Sequence, residues 1–127
     1  GMAKGDHTPE EGTQPVSIFQ VIGDQDKSFH GSSNPKVTMY SADKRINIWR
    51  MFNQCDAQPT INQPFEKITL RTYVNAHDIE VVLCTVAGEG HHIRHDLRDK
   101  ADRIALDFLM NHRRNADHKQ DKYNPNE

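Results

Sequence analysis

Residues 67–87 constrain the fold of this chain more than any other stretch. Ile68, Leu70, Thr72 and Val74 alternate with Lys67, Thr69, Arg71 and Tyr73, the period-two pattern of a strand whose two faces differ. Asn75-Ala76-His77-Asp78 is a turn sequence, built from residues that satisfy their own backbone locally. The chain then returns through 79–87 with apolar residues at nearly every position. A strand of that composition is covered on both faces and belongs in the middle of a sheet. A lone hairpin is marginal in water, so further strands and a covering layer must come from elsewhere in the chain.

The covering layer follows directly. Gly88-Glu89-Gly90 breaks the strand, because glycine turns freely. Asp96, with Asp99 three residues later, is the expected N-cap of a long helix reaching about Arg114. At roughly 100° per residue, Leu97, Ala101, Ile104 and Phe108 fall within about 60° of one another, and Ala105 and Leu109 widen that stripe. This face is expected to pack on the sheet. Leu106 and Met110 point to the opposite side by the same arithmetic and stack at i,i+4. They are candidate interaction residues. Charges on the helix match at i,i+4, as in Arg98 with Asp102 and Asp99 with Arg103, which suits a solvated surface.

Upstream the signals are weaker. Residues 16–22 form a short β-branched and aromatic run ended by Gly23-Asp24, which predicts a strand. Residues 24–35 are dense in turn formers, with Phe29 as their one apolar anchor. Between 36 and 55 two readings compete. Either 37–40 and Ile46, Ile48 and Phe52 make a hairpin, or Ser41 caps a helix that packs Ile46, Trp49, Met51, Phe52 and Cys55 on one broad face; the β-branched Ile46 and Ile48 tilt the balance to the hairpin. Residues 56–64 hold two prolines and read as a connection. The expected fold is α+β: an antiparallel sheet of about four to six strands with one long C-terminal amphipathic helix packed on one face. Its single domain spans 15–114. Residues 1–14, opening on a Gly1 that reads as a cloning scar, form a disordered arm, and 115–127 a flexible tail.

A chain of 127 residues with 35% hydrophobic content can bury one core without a disulfide or metal. No apolar run approaches membrane length, and no signal peptide is expected, so a cytoplasmic setting follows. The formal charge of −2 supplies no overall basic field, so nucleic-acid binding would need a local patch. Cys55 and Cys84 lack CxxC spacing, and Cys84, within an apolar strand, reads as a buried free thiol. His91 and His95, with His92 between them, sit beside Asp96 and Asp99. At i,i+4 they could share a helix face as a weak metal site, without the Glu of HExxH or a diagnostic third ligand. No catalytic motif and no cofactor motif occurs.

From Ile68 onward the chain resembles in places a double-stranded RNA-binding domain. Tyr73-Val74-Asn75 is similar to the end of its middle strand, Arg94, His95 and Arg98 stand where its helix opens on lysines, and Ala105, Leu106 and Leu109 match its helix end. The resemblance covers about a third of the chain; residues 75–88 exceed that family's last hairpin, and no clear first helix precedes Phe65. It implies phosphate contact through cations at the helix start. Three functional expectations follow. The first is a non-enzymatic interaction module that self-associates or docks a protein through Leu106 and Met110. The second is an RNA- or anion-binding module using Arg94, Arg98, Arg113 and Arg114. The third is a small-molecule site or enzyme in a cleft between sheet and helix.

Overall fold

The computed structural model describes residues 8–34 and 37–122, with side chains described for 8–31 and 40–112. In chain order the elements are β1 (Ile18–Gly23), α1 (Lys27–His30), β2 (Ser32–Asn34), β3 (Val37–Met39), α2 (Ala42–Phe52), β4 (Thr60–Phe65), β5 (Ile68–Val74), β6 (Glu80–Val86) and α3 (His95–Lys122). The fold is α+β. β2 and β3 pair with each other, and the other four strands form one sheet in the order β1-β6-β5-β4.

That sheet is mixed, which corrects the antiparallel expectation. β4, β5 and β6 are an antiparallel meander, but β1 lies parallel to β6, with Ile18 opposite Val81 and Gly23 opposite Val86. After β1 the chain leaves the sheet at Gly23 and travels through α1, β2, β3 and α2 before β4 begins, and so long an excursion permits a parallel neighbour. Gly23 fits this departure because a Cβ there would lie 2.1 Å from the Glu89 carbonyl oxygen. Asp24 and Gln25 then donate their N–H groups to Val86 and Glu89, tying the departure to the turn at Gly88, whose φ is 78°.

Strand alternation divides the core into two layers. On one face Ile22, Tyr73, Val81 and Leu83 are buried with Ala42 and Ile46 of α2 and with Cys55, and Ile18, Phe29 and Trp49 pack against them. On the other, Ile68, Cys84 and Val86 are buried with Leu97 and Ala101 of α3, joined by Phe19, Val21, Leu70 and Ile104. β6 is thus central, as its largely apolar run implies. Tyr73 was expected on a polar face with Arg71, yet it is buried because α2 covers it.

The segment from Ala42 to Phe52 is helical, overturning the preference for a hairpin. Ser41 Oγ accepts the Lys44 N–H at 3.1 Å, the N-cap contact that removes an orphan donor. At the other end Gln54 takes φ 55°, and Gln54 and Cys55 donate to Met51 and Arg50, the paired bonds of a Schellman stop. Two terminal signals and a buried face outweigh the β-branching of Ile46 and Ile48. Asn53, buried just past the helix, accepts from Val16 N–H at 3.1 Å and donates to Val16 C=O at 2.8 Å. Arg45, also buried, donates to the carbonyls of Tyr40 and Ser28, which holds α1 and Phe29 against α2.

β4 occupies residues expected to be a connection. Thr60, Ile61 and Asn62 pair with Thr72, Arg71 and Leu70, and the register then slips before Phe65 meets Ile68. Every residue of β4 is exposed, so the strand has no buried face to betray it. Pro64 lies in the slip, where an edge strand tolerates proline.

α3 begins one residue before Asp96, which lies in its first turn rather than capping it. Arg98 N–H bonds to Arg94 C=O, and the Arg94 N–H is taken by Glu89 Oε1. Phe108 meets Phe19 with ring centroids 5.1 Å apart. Leu109 does not widen the packed stripe, being 61% exposed. Among the described residues no helix is long and apolar enough to cross a membrane.

Candidate functional site

Alternation along β5 and β6 sends Thr69, Arg71 and Tyr73, and Val81, Leu83 and Thr85, to the face shared with α2. α2 covers the Tyr73 and Val81 end of that face. The remaining corner, toward β4, stays open as a cleft of about 330 Å³. Its floor is two cross-strand rows, Ile61-Arg71-Leu83 and Thr69-Thr85. Phe29 from α1 and Asp43 from the first turn of α2 complete the lining.

Arg71 and Asp43 dominate its electrostatics. Arg71 Nη2 lies 2.6 Å from Asp43 Oδ1, and the two side chains are 27% and 65% exposed. The guanidinium also approaches the Tyr73 ring, 5.8 Å from its centroid, and its buried Nε has no hydrogen-bond partner. Asp43 Oδ2 makes only a long contact, 3.4 Å, to Asn47 Nδ2. The polar end of the cleft therefore presents a matched cation and anion, each with bonding capacity left over, next to two threonine hydroxyls.

A second depression of about 480 Å³ lies at the start of α1, lined by Gln25, Asp26, Lys27, Ser28 and His91. Its carboxylate is already occupied. Asp26 Oδ1 accepts both the N–H and the hydroxyl of Ser28 at 2.9 Å, and Oδ2 faces His91 Nδ1 at 3.3 Å. The Ser28 backbone N–H, ahead of lesser contributions from the Ser28 hydroxyl and His91, holds the Asp26 carboxyl below its ordinary ionisation range. This is the geometry of a satisfied cap.

The residues singled out from sequence are dispersed. His91 pairs with Asp26 and meets the His92 ring edge-on, while His95 meets Asp99 at 3.3 Å, so His91 and His95 have different partners. Among the described residues no group of three His, Cys, Asp or Glu side chains could hold a metal ion. Arg94 is matched by Glu89 and Arg98 by Asp102. The side chains of Arg113 and Arg114 lie outside those described. Leu106 and Met110 are 58% and 42% exposed on α3.

Sequence reasoning missed the Arg71 cleft, because Arg71 looked like any polar-face residue of β5. It also missed a cluster at the far end of α3. His112 Nδ1 is 3.2 Å from Ser17 Oγ, its Nε2 lies 3.3 Å from Glu80 Oε1 but off the line of a hydrogen bond, and its ring packs on Phe108. Ser17 Oγ also accepts the Glu80 backbone N–H. Serine, histidine and carboxylate are thus gathered, and what they do structurally is join α3 to the starts of β1 and β6. Both cysteines are free and buried, on opposite sides of the sheet. Comparison with known protein families, with curated proteins and with solved structures found no match.

Proposed function

We propose that this chain is a small binding module whose ligand site is the cleft at Arg71. The observation that carries the proposal is the convergence of Arg71, Asp43, Thr69 and Thr85 beside an apolar floor. Binding sites for small molecules combine a mostly apolar concavity with a few placed polar groups that orient the ligand. The cleft is at the small end of such sites, which favours a compact ligand. Its walls come from β4, β5, β6, α1 and α2, so its shape is held by the sheet and by the Arg45 bonds behind Phe29.

The test is a fragment survey by amide chemical-shift perturbation on the full chain. Bound fragments should move the amides of Thr69, Arg71, Leu83 and Thr85. Ile61→Trp, placed at the exposed edge strand, should block them without unfolding the chain. Fragments that gather on other residues, or that bind the Ile61→Trp variant equally well, would overturn the reading.

A second reading rests on Leu106, Leu109 and Met110, which are 58%, 61% and 42% exposed along one side of α3. Monomers seldom leave such a stripe open without use. The occupant it suits is a second copy of the chain. A two-fold pairing of α3 would set the three apolar side chains of one copy against those of the other, the self-complementary contact of a two-fold axis. The RNA reading has less support, since Arg94 and Arg98 each already face a carboxylate.

A further inference from the structure

We infer that the molecule taken by the Arg71 cleft is a zwitterion: a small compound with an ammonium and a carboxylate close together and a compact aliphatic side chain, as in a free amino acid. This rests on the cleft being the ligand site.

Among the residues lining the cleft, Asp43 and Arg71 alone are ionised, and they sit 2.6 Å apart. A simple anion would find Arg71 already matched and would face repulsion from Asp43. A simple cation would meet the reverse. A ligand bearing both charges at short separation can lay its carboxylate against the remaining N–H groups of Arg71 and its ammonium against Asp43, whose Oδ2 is held by Asn47 only at 3.4 Å. Each group then gains a partner of opposite sign without losing the pair it started with, and hydrogen bonds to ionised groups are the stronger kind.

The rest of the lining decides against a polyol. Phe29, Ile61 and Leu83 offer hydrocarbon, and the two threonine hydroxyls are the only uncharged polar side-chain groups in the lining. Ile61 is 60% exposed on an edge strand, so an aliphatic group settling over it removes apolar surface from water. A sugar would set hydroxyls against that hydrocarbon and leave them unpaired. Polar groups at one end and hydrocarbon at the other match the layout of leucine or valine.

Four probes test this by amide shift perturbation on the full chain: L-leucine, 4-methylpentanoate, which lacks the amine, 3-methylbutylamine, which lacks the carboxylate, and methyl glucoside. Leucine should perturb Thr69, Arg71, Leu83 and Thr85, binding at least about tenfold tighter than either half-molecule, since each half forgoes a charged contact. Arg71→Gln should reduce leucine to the level of the amine. Asp43→Asn should weaken leucine and strengthen 4-methylpentanoate, because it removes the repulsion. If Arg71→Gln also lowers the unfolding temperature, the Asp43→Asn result at its exposed position decides.

Equal or tighter binding of 4-methylpentanoate or methyl glucoside at those amides would overturn the zwitterion and leave the cleft standing. So would the absence of leucine shifts there while survey fragments still bind the cleft. Failure of every probe and of the fragment survey would remove both.

Discussion

Cys84 sits fully buried between β1 and β5, and its surroundings show in its ionisation. Burial alone pushes the thiol up from its ordinary 9.0 to about 11. The folded state therefore keeps a proton that the unfolded chain gives up, and stability due to this group is intact below pH 9.0 and is lost as pH rises toward 11. A rise of that size corresponds to about 3 kcal/mol. Unfolding curves across that window should fall more steeply for the parent than for Cys84→Val, and parallel curves would mean that the thiol is not desolvated. Burial pushes Cys55 in the same direction. The buried state of Cys84 was readable from its place in an apolar strand. The role of Arg71 was not, because its meaning depends on Asp43, 28 residues before it and on a helix, and on Ile61, on a different strand. Nor was Asn53 readable, since one asparagine after a helix looks like another until its amide is seen to serve the Val16 backbone.

At the level of elements, legibility followed burial pattern. β5 and β6 declare themselves because one alternates and the other is apolar at most positions. α3 declares itself through its three-and-four spacing, although Leu109 shows that spacing alone overstates the width of a packed stripe. α2 was ambiguous because β-branched residues and a helix cap pointed in different directions, and the cap with its stop signal won. β4 was invisible: an edge strand exposed along its length carries no hydrophobic period. The cluster of Ser17, Glu80 and His112 gives α3 a second attachment, a helical length away from Leu97 and Ala101. His112→Ala removes the Ser17 contact and the packing on Phe108, a loss of about 1–2 kcal/mol. Hydrogen exchange should then quicken from Ile104 to His112 while the Leu97 end keeps its protection. Uniform acceleration along the helix would show that the cluster is not a local anchor.

For the whole molecule, a helical layer on each side of a four-stranded sheet was only half expected. The layer formed by α3 could be read from the sequence; the layer formed by α2, which shapes the cleft, could not. The exposed stripe on α3 makes a claim about mass in solution. Changing Leu106 and Met110 together to lysine should leave the unfolding transition intact and halve the mass measured by light scattering, as expected for a pair of chains dissolved into monomers. Loss of the folded state would instead mark the stripe as core, and an unchanged mass would remove the second-copy reading.

The parallel pairing of β1 with β6 also bears on the order in which the molecule assembles. Ile18 meets Val81, across most of the domain, whereas β4, β5 and β6 are joined by short turns. Closing a loop of that span carries an entropic cost that neighbouring hairpins avoid. The meander is therefore expected to form as a platform before β1 docks, so substitutions in β5 and β6 should slow folding more than substitutions in β1, a difference that φ-value analysis reads directly.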